Sequence, residues 1–183
     1  MPVDGARTLV LVTGLPGSGK STLAAQLAAA LDLPLIAKDR YKELLFDVLG
    51  TGDAAWSRRI GRAAIALQYE AMAAVRAAVV DSGLWTDLSE PDVEALGLPL
   101  VQVYCRCPFE LARERFFDRL AAGQRHPGHR EETMSSDGFD RFLPLVQPLH
   151  LRSPLVEVDT SRPVDVDGVA AAVTASARKR GGG

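Results

Sequence analysis

Gly14-Leu15-Pro16-Gly17-Ser18-Gly19-Lys20-Ser21 is the stretch on which the reading of this chain turns. It satisfies G-x-x-x-x-G-K-[ST] at every fixed position. The glycines permit backbone torsions and a close approach that a Cβ would block. Successive N–H groups then point inward as an anion nest, at the positive end of the helix that follows. Lys20 supplies a point charge to the outer phosphates, Ser21 offers a hydroxyl to Mg²⁺, and Thr22 adds a further phosphate contact. A glycine-rich turn matching by chance would leave the flanks unexplained. An apolar, β-branched run from Thr8 to Thr13 precedes the loop, as a buried parallel strand should. An Ala/Leu helix from about Lys20 to Leu31 follows it. The expectation is a bound nucleoside triphosphate, with Mg²⁺.

Outward from this loop, strand and helix alternate to the end of the chain, which favours a mostly parallel sheet covered by helices. Leu33 to Ala37 reads as a second strand ending at Lys38-Asp39. Arg40 to Leu49 reads as a helix with Tyr41, Leu44, Leu45 and Val48 at core spacing. Asp53 is placed to cap a long helix through Trp56, Ile60, Ala64, Leu67 and Met72. Ala78 to Ser82 and Leu100 to Cys105 read as the third and fourth strands. Pro108 opens a helix carrying Leu111, Arg115 and Arg119. The polar, basic stretch Gly123 to Ser136 breaks the periodicity. Asp137 to Val146 is expected to be helical, Leu155 to Val158 a fifth strand, and Asp165 to Arg178 a closing helix. Residues 1–180 make one domain with no internal repeat or linker, and 181–183 are expected to form a tail without structure.

Composition narrows the partners. The 183 residues are 47% hydrophobic and 24% charged, ordinary values for one globular domain with a sizeable core. A formal net charge of −2 gives no global positive field, so neither nucleic acid nor an anionic membrane is an expected partner. Of the 21 basic residues only four are lysine, which reflects either genomic base bias or a need for forked phosphate contacts. Cys105 and Cys107 lie in an apolar run, more like a buried strand than a disulfide framework or a metal knuckle. With no leader-like segment near Met1 and no run long enough to span a bilayer, a reducing, cytoplasmic setting is expected. Oligomeric state stays open.

Ligands of open α/β sheets sit beyond the carboxyl ends of the strands, and two acidic residues fall there by register. Phosphoryl transfer to an alcohol needs one carboxylate to accept the hydroxyl proton and another near Mg²⁺. Asp39 suits the base and Asp81 the metal-side carboxylate, with the exchanged assignment also open. Each has a purely structural alternative, a helix N-cap for Asp39 and a turn for Asp81. Asp87 is a weaker candidate. Arg115 and Arg119, four apart, share a helix face suited to a ligand's phosphates or base, or to surface pairing with Glu110 and Glu114. The segment Gln124 to Arg130, within a lid of about 121–136, reads as mobile and able to close over phosphates. Arg125 and Arg130 would then neutralise charge in the transition state. His126 and His129 lack further ligands at zinc spacing, and His150 has no functional reading. Tyr41, Trp56, Leu84 and Trp85 are candidates for an apolar acceptor wall, or plain core.

Together GLPGSGKST (14–22), KD (38–39), VVDSGLW (79–85), RERFFDR (113–119), RHPGHR (125–130) and EVDTSRP (157–163) resemble the small P-loop kinases of the adenylate-kinase-like group. The likeness is to the bacterial AAA-type ATPase/kinase family that includes chloramphenicol phosphotransferase and zeta-toxin-like kinases. This resemblance implies a five-stranded parallel sheet in the order 2-3-1-4-5, with ATP and Mg²⁺ as cofactors. It also implies that Asp39 holds the family's base position and that Arg115 and Arg119 are its nucleotide-side arginines. Thr160, Arg162 and Pro163 would border the adenine. The expected function is transfer of the γ-phosphate to a small hydroxyl-bearing molecule, by family analogy an antibiotic or other natural product. Two alternatives stand beside it, a nucleotide-dependent regulatory ATPase and a nucleoside or nucleotide kinase.

Overall fold

The computed structural model describes residues 7–83, 86–131 and 134–181. Five parallel strands make one sheet: β1 (Thr8–Gly14), β2 (Leu35–Ala37), β3 (Ala77–Asp81), β4 (Leu100–Arg106) and β5 (Leu155–Asp159). Their order is β2-β3-β1-β4-β5, as the resemblance implied. β1 runs in register with β3 (Val12 opposite Asp81) on one side and β4 (Gly14 opposite Cys105) on the other. It is buried on both faces along its whole length, which explains its unbroken apolar sequence.

Helices α1 (Lys20–Leu31) and α7 (Val166–Gly181) cover one face, α3 (Ala54–Ala74) and α4 (Thr86–Ala95) the other. Alternation along β1 divides the core between them. Val10 and Val12 pack with Leu23, Leu27 and Val173, while Leu9 and Leu11 pack with Met72, Val80 and Val93. Each such fully buried aliphatic side chain contributes about 1.5–3 kcal/mol. Helices α2 (Lys38–Leu49), α5 (Phe109–Ala121) and the short α6 (Ser136–Asp140) complete the layers. Among the described residues no helix is long and apolar enough to cross a membrane.

Several boundaries differ from expectation, each for a local reason. Helix α2 starts at Lys38 directly after β2, so Asp39 lies in its first turn rather than before it. The apolar stripe of α2 was misphased, because Lys42 and Phe46 are its buried residues while Leu44 and Val48 face solvent. Along α3, Leu67 is likewise exposed, and Gln68 beside it is buried. Its Nε2 donates to the Asp81 and Ile36 carbonyls at the ends of β3 and β2, at 3.0 and 3.4 Å. Asp53 does cap α3, accepting from the Trp56 N–H at 2.8 Å.

Helix α4 was not foreseen; it carries Pro91 inside it, a residue that disfavours a helix interior. Helix α6 stops at Asp140 instead of Val146, and Pro144 lacks the N–H that would bond the Asp140 carbonyl to continue it. The segment beyond α6 is fastened by side chains. Gln102 of β4 accepts from the Leu149 N–H (2.9 Å) and donates to its carbonyl (3.1 Å), imitating a strand partner. The Tyr104 hydroxyl holds the Val146 carbonyl at 3.1 Å. At the far end α7 runs through Gly181, one residue into the expected tail, whose last two residues lie outside the described ones. So do residues 1–6, Leu84 and Trp85.

Candidate active site

The N-terminus of α1 is uncapped by any side chain. Gly19 precedes it in the left-handed region, and its first turn holds no acidic residue. The partial positive charge of that end is therefore uncompensated, as an anion site requires. Beneath it the loop is seated firmly. Gly17 has φ +79°, and a Cβ there would lie 2.0 Å from the Ala112 carbonyl oxygen of α5. Leu15 is buried against Cys107, Ala112 and Val146, and Ser18 is fully buried. These three residues shape the loop rather than face the open space around it.

Two cavities flank the loop. One, about 470 Å³, has Gly14, Pro16, Lys20 and Ser21 on its loop side and Asp39, Arg119 and Arg125 across from them. The other, about 460 Å³, runs from Gly19 and Thr22 past Arg115 to Thr160, Arg162 and Pro163. Arg115 and Arg119 of α5 thus line different cavities. Arg115 donates to the carbonyls of Thr160 (2.9 Å) and Ser161 (3.5 Å), which props the segment lining the second cavity. Arg119 lies over the Phe116 ring, and its buried Nε has no hydrogen-bond partner among the described residues. Burial disfavours its charge, and the neighbouring Arg125 cation adds to that effect.

Asp39 does not cap α2. Ala37 occupies the N-cap position, and the Asp39 carboxylate accepts instead from Lys38 Nζ (2.9 Å) and Arg125 Nη2 (3.0 Å). Burial alone would raise its pKa, but Lys38, Arg125 and His129 hold it far below the usual carboxylate range. Asp81 ends β3, buried beside Lys20 and Ser21, and among the described residues its Oδ1 has no hydrogen-bond partner. Here burial prevails and its pKa is raised, despite the lowering by Lys20 and Ser21. An orphaned carboxylate oxygen next to the loop's hydroxyl suits a divalent cation, which would pair with that oxygen and favour the ionised form.

The basic segment is packed down on α2 and α3 rather than loose. Pro127–His129 form a 3₁₀ turn whose Gly128 presses on Phe46, where a Cβ would come within 2.3 Å of the ring. Ser57 donates to the Gly128 carbonyl (2.8 Å), and His126 stacks on Phe46 with centroids 5.4 Å apart. Arg125 is the one arginine of this segment in the cavity, gripped by Glu131 at 2.6 Å. Arg130 differs from expectation. Its φ of +55° turns it away, and it donates to the Gly52 carbonyl (2.9 Å) outside both cavities. The acceptor wall differs too. Trp56 donates its indole N–H to Gly50 and Tyr41 packs into the sheet core, while Ile65, Tyr69, Met134, Phe142 and Val146 face the cavity. The Asp87 side chain lies outside the described ones.

His129, for which the sequence offered no zinc partners, links the segment to α2. Its Nε2 lies 3.1 Å from Glu43 and its Nδ1 3.3 Å from Arg125 Nη2. Since the guanidinium has only protons to give, Nδ1 accepts and Nε2–H donates, which defines a neutral ring. Burial, then the Arg125 charge, pushes its pKa down to about 3. The unfolded imidazole titrates near 6.5, so between those values the unfolded chain binds more protons and acid destabilises the fold. Unfolding free energy is expected to fall on acidification from pH 6.5 toward 3, by up to about 1.4 kcal/mol per pH unit from this group. His129→Gln should flatten that slope in denaturant titrations. Superimposable pH profiles for the two proteins would show that the ring is not held neutral.

Comparison with known proteins follows the same lines. The profile of an AAA domain family matches residues 9–142. A crystal structure from Chloroflexus aurantiacus, whose assignment as a kinase is itself provisional, superposes with a TM-score of 0.85 at 33% identity. The match covers 93% of this chain and 98% of that one. A gluconokinase from Sinorhizobium meliloti (TM-score 0.60, 19% identity, 98% and 95% covered) shares the fold. So does a shikimate kinase from Acinetobacter baumannii (TM-score 0.50, 14% identity, 93% and 92% covered). No curated protein matches the chain.

Proposed function

The chain belongs to this AAA domain family of P-loop kinase-like proteins, and on that premise we propose that it transfers the γ-phosphate of ATP to a hydroxyl of a small molecule. The observation that carries the reading is the placement of Asp39. Its carboxylate shares one cavity with Lys20 and Ser21, and that cavity extends past the loop to an apolar wall with room for an acceptor. A nucleotide switch has no need of such a space, which favours transfer over bare hydrolysis.

In this reading the main-chain N–H groups of Gly17 and of residues 19–21, with the Lys20 ammonium, hold the β- and γ-phosphates, and the base lies in the cavity bordered by Arg115, Thr160, Arg162 and Pro163. Ser21 and Asp81 would hold Mg²⁺, which when bound neutralises charge on the phosphate oxygens. Arg119 and Arg125 approach the same space with donors suited to the transferring group. Asp39 accepts a hydrogen bond from the acceptor hydroxyl, orients its oxygen in line, and takes the proton as the new bond forms. While Arg125 and Lys38 both hold it, Asp39 is a weak base. An incoming γ-phosphate competes for Arg125 and so returns basicity to Asp39 when it is needed.

The test is ATP labelled at the γ-phosphate, supplied with Mg²⁺ and a panel of sugars, polyols, hydroxy acids, nucleosides and hydroxylated antibiotics. Label in an organic product, lost in Lys20→Met, supports the reading. Release of inorganic phosphate alone across the panel favours the regulatory ATPase, and label on nucleosides or nucleotides favours the third reading.

A further inference from the structure

Lys42 has no counterpart in the scheme above. It is a lysine only 9% exposed, on the cavity-facing side of α2 and one turn after Asp39. A spacing of three residues puts the two side chains on one face, about 4.5 Å apart along the axis. Its ammonium lies 5.5 Å from the centre of the Phe46 ring. Across from it α3 carries Gly61, where even a Cβ would lie 3.9 Å from Nζ, so no side chain of that position pairs with it. Among the described residues no carboxylate forms an ion pair with Lys42, although the cavity contains two that are near at hand. Glu131 is held by Arg125 at 2.6 Å, and Asp39 by Lys38 and Arg125.

A buried ammonium without a carboxylate partner is costly, and an anionic ligand would supply the missing charge. Burial and the cations of Lys38 and Arg125 push its pKa down to about 8, against the pull of Asp39 and Glu131. The nucleotide's phosphates already have Lys20, the α1 amides and two arginines. The charged groups that act most strongly on Lys42 come from α2 and the basic segment.

We propose that Lys42 anchors an anionic group on the acceptor, a carboxylate or a phosphate monoester carried a few bonds from the hydroxyl that is phosphorylated. The inference rests on reading this cavity as the acceptor site. The acceptor is then a hydroxy acid or a phosphorylated polyol rather than a neutral sugar. Its apolar or hydroxyl-bearing remainder lies along Tyr69, Met134 and Phe142, with Asp39 reaching the hydroxyl.

Lysine-labelled protein provides a direct test, because the chain has only Lys20, Lys38, Lys42 and Lys179. The Lys42 side-chain resonance is identified by its loss in Lys42→Met. Wild-type protein is then titrated with glycerate, glycerol 3-phosphate and glycerol, with and without MgADP. The expected result is a saturable shift of the Lys42 signal with glycerate or glycerol 3-phosphate, none with glycerol, and an upward move of its apparent pKa. Which anion acts distinguishes the two sources. No response to either anion, or an equal response to glycerol, overturns the proposal. A Lys20 signal indifferent to MgADP marks failure of the nucleotide reading instead, and is scored separately. Once an acceptor is in hand, Lys42→Met should raise its KM at least tenfold with the KM for ATP unchanged.

Discussion

Asp39→Asn is expected to reduce phosphoryl transfer by roughly 10²–10⁴-fold while MgATP still binds, the range for loss of a positioned proton acceptor. The substitution keeps the shape of the side chain and one oxygen, but removes the charge that holds Lys38 and Arg125. Arg125 retains Glu131 at 2.6 Å, so the basic segment should stay docked through Gly128 and His126. The loss should therefore appear in kcat, with nucleotide affinity measured by calorimetry little changed. A variant that turns over the acceptor at the wild-type rate would remove Asp39 from the chemistry. Phosphoryl transfer has a loose transition state in which positioning outweighs basicity. Asp39→Ala, which removes the hydrogen-bond acceptor as well, should consequently be the slower of the two.

Gly17→Ala is expected to cost about 2–5 kcal/mol of stability and to abolish nucleotide binding. Two penalties add at this position. A φ of +79° costs a residue with a Cβ about 1–2 kcal/mol. The methyl would also sit 2.0 Å from the Ala112 carbonyl oxygen and close to the Phe116 amide, both backbone atoms of α5. Overpacking of this kind costs about 1–3 kcal/mol and is relieved only by lifting the loop off the helix. Gly19→Ala is the matched control. Its φ is +85°, but nothing lies within 4 Å of the new methyl, so only the torsional penalty applies. Thermal unfolding of both variants, with MgATP protection measured alongside, checks the contrast. Equal destabilisation would mean that contact with α5 does not fix the loop.

The phosphate loop and the strand order were legible because each depends on local or near-local signals: fixed glycines, a flanking apolar strand, and motifs of one family. The placement of Asp39 and Asp81 at strand ends followed from register alone. What was missed depends on phase and long-range pairing. Lys42 and Phe46 are buried, and Leu44 and Val48 are exposed, because α2 is pinned from its first turn by a junction with β2 that leaves no loop to rotate in. Hydrophobicity along α2 points the other way. The neutral state of His129 depends on Arg125 and Glu43, and Glu43 is 86 positions away. Arg130 has a left-handed torsion that no arginine advertises.

Helix α5 backs the phosphate loop at Ala112 and then presents Arg115 to one cavity and Arg119 to the other, a single turn apart. Both side chains ride on one rigid rod whose fulcrum is the loop itself. A tilt that draws Arg119 toward a ligand carries Arg115, and with it the Thr160 and Ser161 carbonyls, in a direction set by the same pivot. The expected consequence is linkage between the two cavities, which calorimetric titration of each ligand with and without the other would check. Each ligand's dissociation constant would then depend on whether the other is present, and saturation with one would be the condition under which affinity for the other is properly measured.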